Sequence, residues 1–265
     1  MNLQELKKII SIRWNKFYII KDATCYSDNN HFEIEPNDFL NFAKHEYNFL
    51  DRRGLVGALS NAKRAIDCQI DWIILYLGFD FLKFNDTKYS EVKSFIEEFE
   101  NTHSSSKDLS MKLRFIQALG IAPTFLISKI RKVRHKLEHE YTLPTVGEAR
   151  EAIEIAELFI NATENILFNK FYTDYFIQNE NDDRGYCVEP FIKISFESCS
   201  ARNLKPYISI TYREGEINEK LRINPEDKGY LFFIKAAVTN EFTYLINAFE
   251  YDIDKKYVKY EIDYA

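Results

Sequence analysis

Glycine, proline and cysteine are scarce in this sequence. Its 265 residues include 8 glycines, 6 prolines and 4 cysteines. So few glycines and prolines argue against a chain dominated by tight turns, and we expect much helix. The cysteines are Cys25, Cys68, Cys187 and Cys199. Their spacing includes no C-x-x-C pair and indicates neither a disulfide framework nor a zinc site, so we expect reduced, mostly buried thiols.

Long apolar runs are also missing. The longest, Trp72–Phe79, is far shorter than the roughly 20 residues that span a bilayer. The first ten residues lack the apolar core and cleavage site of a signal peptide. We therefore expect a soluble, cytoplasmic protein that makes no membrane contact.

Two further absences restrict the function. No G-x-x-x-x-G-K-[ST] loop is present, so a P-loop nucleotide hydrolase is not expected. The chain has no excess of basic residues, since its formal net charge is −6. Any contact with nucleic acid must therefore use a local basic patch.

Apolar residues recur at helical spacing through the first two thirds of the chain. The pattern predicts helices over residues 3–20, 36–53, 55–77, 90–99, 108–119, 123–141 and 146–176. The strongest amphipathic pattern is 55–77. Thr145 and Glu148 form a capping-box pattern at the start of the last helix.

The pattern changes near residues 178–185, a polar stretch that we interpret as a linker. Beyond it, alternation predicts strands over residues 191–196 and 207–212, a helix over 226–238, and a terminal hairpin from 244–251 and 257–264. We therefore predict an α+β protein: an N-terminal all-α helical bundle at 1–178, then a small α+β domain at 185–265.

The densest group of reactive side chains is Arg131–Tyr141, with the sequence R-K-V-R-H-K-L-E-H-E-Y. On a helix, its apolar stripe is Leu126, Ile130, Val133, Leu137 and Tyr141. The residues that point largely away from this stripe are Arg131, His135, Glu138 and His139, with Arg134 on one flank and Lys132 and Lys136 on the other side of the histidines. The simplest interpretation is a solvated, charged helix face.

A functional interpretation begins with the six residues from Arg134 to His139. They resemble the signature of the HEPN superfamily: an arginine, a polar residue, three variable residues and a histidine. Their place late in a helical region, over roughly residues 40–178, also resembles that family, whose fold is a bundle of about four helices. The resemblance implies a metal-independent endoribonuclease without a cofactor, commonly a homodimer with two motif copies across its interface. It further implies an RNA substrate, a role as a toxin or defence effector, and an antitoxin or regulatory protein as a partner.

The resemblance also implies roles for individual residues. His139 would be the acid–base group, Arg134 the phosphate clamp, and His135 a second polar group. An imidazole can take a proton from a ribose 2′-hydroxyl or give one to the leaving oxygen, and a guanidinium can hold a phosphate with two donors. The candidates for binding the RNA backbone are Arg131, Lys132 and Lys136. Asp67 and Glu138 are candidates for orienting the reactive side chains.

Helical geometry limits this assignment. Residues five apart on a helix, such as Arg134 and His139, are separated by about 140° around its axis. They converge only if Arg134 reaches around, if the helix end distorts, or if a second subunit completes the site. The last arrangement favours a symmetric dimer.

Two alternatives stay open. His135, Glu138 and His139 match the H-x-x-E-H pattern of inverzincin metallopeptidases. That family needs a further glutamate ligand and a sheet-containing domain, whereas this region is predicted to be helical. The other alternative is a non-catalytic HEPN-like module that binds or dimerises, with the C-terminal domain recognising a partner.

Overall fold

A computed structural model of the chain describes residues 2–22, 32–102, 109–123, 125–180, 188–197, 206–251 and 253–262. Within these ranges it contains nine α-helices and one six-stranded sheet, so the protein is α+β, as predicted. None of the helices described is both long and apolar enough for a transmembrane segment. Cys68 has a free, half-buried thiol, and the other three cysteines lie outside the described residues.

The elements follow one another in a mixed order. The helices are α1 Leu3–Ile9, α2 Pro36–Tyr47, α3 Arg52–Tyr76, α4 Ser90–Thr102, α5 Met111–Leu119, α6 Phe125–His139, α7 Val146–Asn169, α8 Tyr230–Thr239 and α9 Thr243–Ala248. The strands are β1 Phe17–Asp22, β2 Asp174–Asn179, β3 Phe191–Glu197, β4 Tyr207–Glu214, β5 Ile217–Ile223 and β6 Lys259–Ile262.

The residues fall into two compact units. The sheet unit comprises Met1–Asn29, Asp86–Val92 and Leu167–Ala265, and the helical unit comprises Asn30–Asn85 and Lys93–Ile166. The sheet unit thus takes residues from both ends of the chain, which differs from the predicted division at residues 178–185.

Helix α3 is the centre of the helical unit. Its Leu59, Ala62 and Ile66 are fully buried, as the amphipathic pattern over 55–77 predicts. The Asp51 carboxylate accepts a hydrogen bond from the Gly54 N–H at 2.6 Å and caps the helix. A Cβ atom at Gly54 would lie 2.5 Å from the carbonyl oxygen of Glu46, so the absence of a side chain lets α2 and α3 approach closely.

The sheet has the strand order β5-β4-β3-β2-β1-β6. Every neighbouring pair is antiparallel except β1 and β6, which are parallel. Ile192, Ile194 and Ile210 are buried on one face. Because successive side chains of a strand alternate between faces, the residues between them lie on the opposite face.

Three sequence-based predictions are wrong. The helix predicted over residues 3–20 ends at Ile9, and residues 17–22 form β1. The helix predicted over 146–176 ends at Asn169, and β2 follows it. The predicted terminal hairpin is instead α9 and a strand, β6, that runs parallel to β1. In each case the residues pair with, or pack against, a strand that is distant in the sequence. These long-range contacts override the local pattern of apolar residues.

Candidate functional site

Helix α6 carries the motif predicted from the sequence and is anchored on its apolar side. Ile127 and Ile130 are 1% and 2% exposed, and Lys129 forms an ion pair with Glu151 of α7. The predicted stripe is partly wrong, because Tyr141 is 88% exposed and lies beyond the helix end. The side chain of Leu126, also predicted in that stripe, lies outside the described atoms.

The end of α6 is fixed by backbone geometry. Tyr141 has a positive φ of 53°, and the N–H of Thr142 donates to the carbonyl of Lys136 at 3.2 Å. The chain therefore turns away directly after His139. The capping box at Thr145 and Glu148 then starts α7, as predicted, with the Glu148 N–H donating to the Thr145 hydroxyl at 3.2 Å.

Two histidines lie side by side on the exposed face of α6. The ring centroids of His135 and His139 are 4.5 Å apart, and the rings are tilted by 45°. Both side chains are exposed. Residues four apart on a helix share a face, which explains the contact.

A groove of about 440 Å³ runs beside His135, and His139 is not among the residues that line it. Its lining comprises Leu109, Ser128, Arg131, Lys132, His135, Lys136 and Glu140. Among the described residues, three cations, one imidazole and a single carboxylate therefore line this open groove. Lys136 and His139 also lie in the last turn of α6, where the partial negative charge of the helix terminus favours cations.

Arg134 is separated from His139 in one chain. Its guanidinium forms an ion pair with Glu138 at 2.6 Å, and its side chain is 32% exposed. No ion pair or ring contact joins Arg134 to His139 in the part of the chain that the structure describes. The structure thus brings together His135 and His139, and separately Arg134 and Glu138.

Helix α3 contributes a residue that the sequence did not single out. Lys63 is 7% exposed and forms an ion pair with Asp67. Burial is the main reason that the pKa of Lys63 is lowered; the charges of Arg134 and Arg131 lower it further, and Asp67 opposes the shift. Asp67, predicted to orient motif side chains, is therefore the counter-ion of a lysine that lies close to the arginines of α6. Its position among the apolar residues of α3, between the buried Leu59 and Ile66, is the sequence feature that could have identified Lys63.

The described residues do not supply a zinc site. No group of three or more His, Cys, Asp or Glu side chains within them is arranged to hold a metal ion. Glu138, which the H-x-x-E-H alternative requires as a base, pairs with Arg134 instead. The side chains of α6 therefore do not fit the ligand set of a zinc peptidase.

Comparisons with known proteins assign no family. The chain matches no known family model, no curated protein and no solved structure. Function therefore has to be inferred from the geometry of α6 and its neighbours.

Proposed function

We propose that this protein is a metal-independent, HEPN-like endoribonuclease whose active site lies on α6. The observation that carries the proposal is the exposed pair of His135 and His139, whose rings are 4.5 Å apart and of which His135 lines a cationic groove. Two adjacent imidazoles suit a reaction that needs one proton acceptor and one proton donor.

The chemistry follows from these residue types. One imidazole accepts the proton of a ribose 2′-hydroxyl, whose oxygen attacks the adjacent phosphorus. The other imidazole, protonated, gives its proton to the leaving 5′-oxygen. The products are a 2′,3′-cyclic phosphate and a 5′-hydroxyl. In this proposal His139 is the principal acid–base group and His135 the second.

The cations of the groove suit an RNA substrate. Arg131, Lys132 and Lys136 line it, and contacts to phosphates supply affinity that does not depend on sequence. The chain as a whole has a net charge of −6. A local concentration of cations in an acidic protein is what selective binding of a polyanion at one place requires.

Cleavage assays with purified protein test the proposal. Wild type should cut a fluorogenic single-stranded RNA in the presence of EDTA, and His139→Ala should lower the rate by about 100-fold or more. Arg150→Ala is the matched control, because Arg150 is 70% exposed on α7 and pairs with Glu154. Its rate should equal that of wild type. The proposal fails if wild type leaves RNA intact, or if EDTA abolishes the cleavage.

We propose further that Arg134 acts across a symmetric homodimer, because it faces away from His139 in one chain. Equal amounts of inactive Arg134→Ala and inactive His139→Ala protein should then regain activity when mixed. Half of the dimers are mixed, and each holds one intact site, so about a quarter of the wild-type rate is expected. A mixture without activity would exclude the shared site but leave single-chain cleavage open.

A second candidate function is a non-catalytic module that binds RNA or a partner through the same groove. The ion pair between Arg134 and Glu138 favours it, because a phosphate must first displace Glu138 before Arg134 can clamp it. Wild type that binds RNA without cutting it would select this candidate.

The cellular role belongs to the same proposal. A cytoplasmic toxin or defence effector, restrained by an antitoxin or regulatory protein, should stop cell growth when it is expressed. The His139→Ala variant should not.

A further inference from the structure

Strand β5 separates its charges by face. It forms an edge of the sheet, where Lys220 lies opposite Thr211 and Arg222 lies opposite Ser209. Glu219, which directly precedes Lys220, points to the other face because side chains alternate along a strand. Edge strands carry charge to prevent pairing with another chain, but that purpose does not require all cations on one side. The arrangement indicates that the face with the cations has a ligand.

The same face continues over β4 and β3. This face, which we call the open face, comprises Lys193, Tyr207, Ser209, Thr211, Arg213, Lys220 and Arg222, together with Phe191, Ser195 and Glu197 of β3 and Asn218 of β5. Ser209 and Thr211 are small, so they form a shallow floor. Lys193, Thr211 and Lys220 lie side by side on successive strands, which places the two lysines about 10 Å apart across that floor.

Within the described part of the chain, two cations of the open face have no carboxylate partner. Lys193 pairs with Asp174 at 3.2 Å, and Arg213 pairs with Glu189 at 3.5 Å. Among the described residues, neither Lys220 nor Arg222 forms an ion pair; Arg222 Nε donates to the side-chain oxygen of Asn224 at 2.9 Å. The charges of Lys220 and Arg222 on β5 are therefore complementary to an anionic ligand.

An aromatic ring accompanies these cations. The guanidinium carbon of Arg222 lies 3.8 Å from the centroid of the Tyr207 ring. A guanidinium stacked on an aromatic ring offers a flat surface on which a nucleobase can stack. An acidic peptide would use the cations but not this stacked surface, so the combination favours a single-stranded nucleic acid.

We propose that the open face is a second RNA-binding surface. Phosphates contact Lys220 and Arg222, and one base stacks against the Arg222–Tyr207 pair. The choice of RNA over other single-stranded nucleic acids rests on the proposed nuclease function, whereas the binding face itself is inferred only from the sheet.

Fluorescence anisotropy with labelled single-stranded oligouridine tests this inference. The full chain carries His139→Ala so that the probe stays intact. Adding Lys220→Ala and Arg222→Ala should weaken binding about tenfold, and the slope of log K against log salt should fall by about 1.4, or 0.7 for each lost phosphate contact. Tyr207→Ala alone should weaken binding about fivefold, while circular dichroism should show an unchanged fold.

Two further variants serve as controls. Lys255→Ala with Lys256→Ala removes the same charge from exposed lysines of the same unit. Binding should then stay within about twofold of the parent, because counterion release depends on contact and not on total charge. Lys220→Arg keeps the cation and should bind as the parent does.

The outcomes separate this inference from the nuclease proposal. If the Lys220 and Arg222 double variant binds like the control, the open face is not an RNA surface, even when wild type cuts RNA. If wild type cuts nothing but loses binding in the double variant, the binding surface stands and the nuclease proposal fails. Tighter binding to phosphatidylserine vesicles than to oligouridine, with the same dependence on Lys220 and Arg222, would overturn RNA as the ligand.

Discussion

Removal of the Asp67 carboxylate should destabilise the helical unit by about 1–2 kcal/mol. Lys63 is 7% exposed, and Asp67 is its ion-pair partner. Loss of one partner from a fully buried pair costs about 3–5 kcal/mol. The Asp67 side chain is 50% exposed, so water screens part of the interaction, and we reduce the expected cost accordingly. The nearby positive charges of Arg131 and Arg134 repel the ammonium group of Lys63, so they add to the cost of removing Asp67.

Substitution of Lys63 itself should have a much smaller effect. Lys63→Met keeps the length of the side chain and removes the buried charge, so the free energy of unfolding should change by less than about 1 kcal/mol. The double variant, Lys63→Met with Asp67→Ala, should be as stable as Lys63→Met alone. Asp67→Ala is therefore costly only while the ammonium group of Lys63 is present.

The same lysine makes stability depend on pH. Burial lowers the pKa of Lys63 in the folded protein below its ordinary value of 10.5. Between the folded-state pKa and that value, the unfolded chain binds more protons, so stability rises with pH. Below the folded-state pKa the full penalty of the buried charge applies. Wild type should therefore gain stability relative to Lys63→Met as the pH rises towards 10.5.

Urea unfolding followed by tryptophan fluorescence measures these effects. The chain has two tryptophans. Trp72 lies on α3, the helix that carries both residues of the pair, so a Trp14→Phe background leaves a signal from the helical unit alone. An Asp67→Ala variant whose stability lies within about 0.3 kcal/mol of its parent would contradict a stabilising role for the ion pair, as would a Lys63→Met variant that is destabilised as much as Asp67→Ala.

Three further predictions use other parts of the chain. Gly229→Ala should cost about 2–3 kcal/mol, because Gly229 has a φ of 92° and a Cβ atom there would lie 2.8 Å from Leu3 Cδ1. Gly215→Ala, with a φ of 57° and open space around it, should cost only about 1 kcal/mol in the same urea assay; equal costs would rule out a steric contribution. Arg114→Lys should cost about 1–2 kcal/mol, because Arg114 Nε and Nη2 each donate to the buried Glu100 carboxylate at 2.7 Å and lysine cannot form this fork. Unchanged stability would show that charge alone suffices. The rate of RNA cleavage should be bell-shaped between about pH 5 and 8, since one imidazole must be neutral and the other protonated; a flat profile would contradict that mechanism.

The helical unit was largely predictable because its signals are local. The apolar stripe over residues 55–77 predicted α3, observed over Arg52–Tyr76. Gly120 stops α5 with a φ of 82°, as its position after the amphipathic stretch indicates. The helix predicted over 36–53 was too long, because α2 ends at Tyr47 and α3 begins soon after. Local spacing identifies helices better than it locates their ends.

The sheet was less predictable because its pairings are distant in sequence. Phe17–Asp22 follows a short amphipathic helix, and its apolar residues extend the helical pattern. What makes it a strand is pairing on one side with Asp174–Asn179 and on the other with Lys259–Ile262. Strand β5 has an edge position and few apolar residues, so it gave no signal of its own. Because these strands are brought together only by folding, their pairing cannot be predicted from local sequence.

In the motif, spacing along the sequence differs from spacing around the helix. Arg131 and His135 are four residues apart and line the same groove, whereas Arg134 turns to Glu138. A partly exposed pair of this i,i+4 kind contributes only about 0.3–0.5 kcal/mol. A phosphate can accept two parallel, charge-assisted hydrogen bonds from a guanidinium. The carboxylate of Glu138 is therefore a weak competitor, and an RNA phosphate brought within reach of Arg134 should displace it.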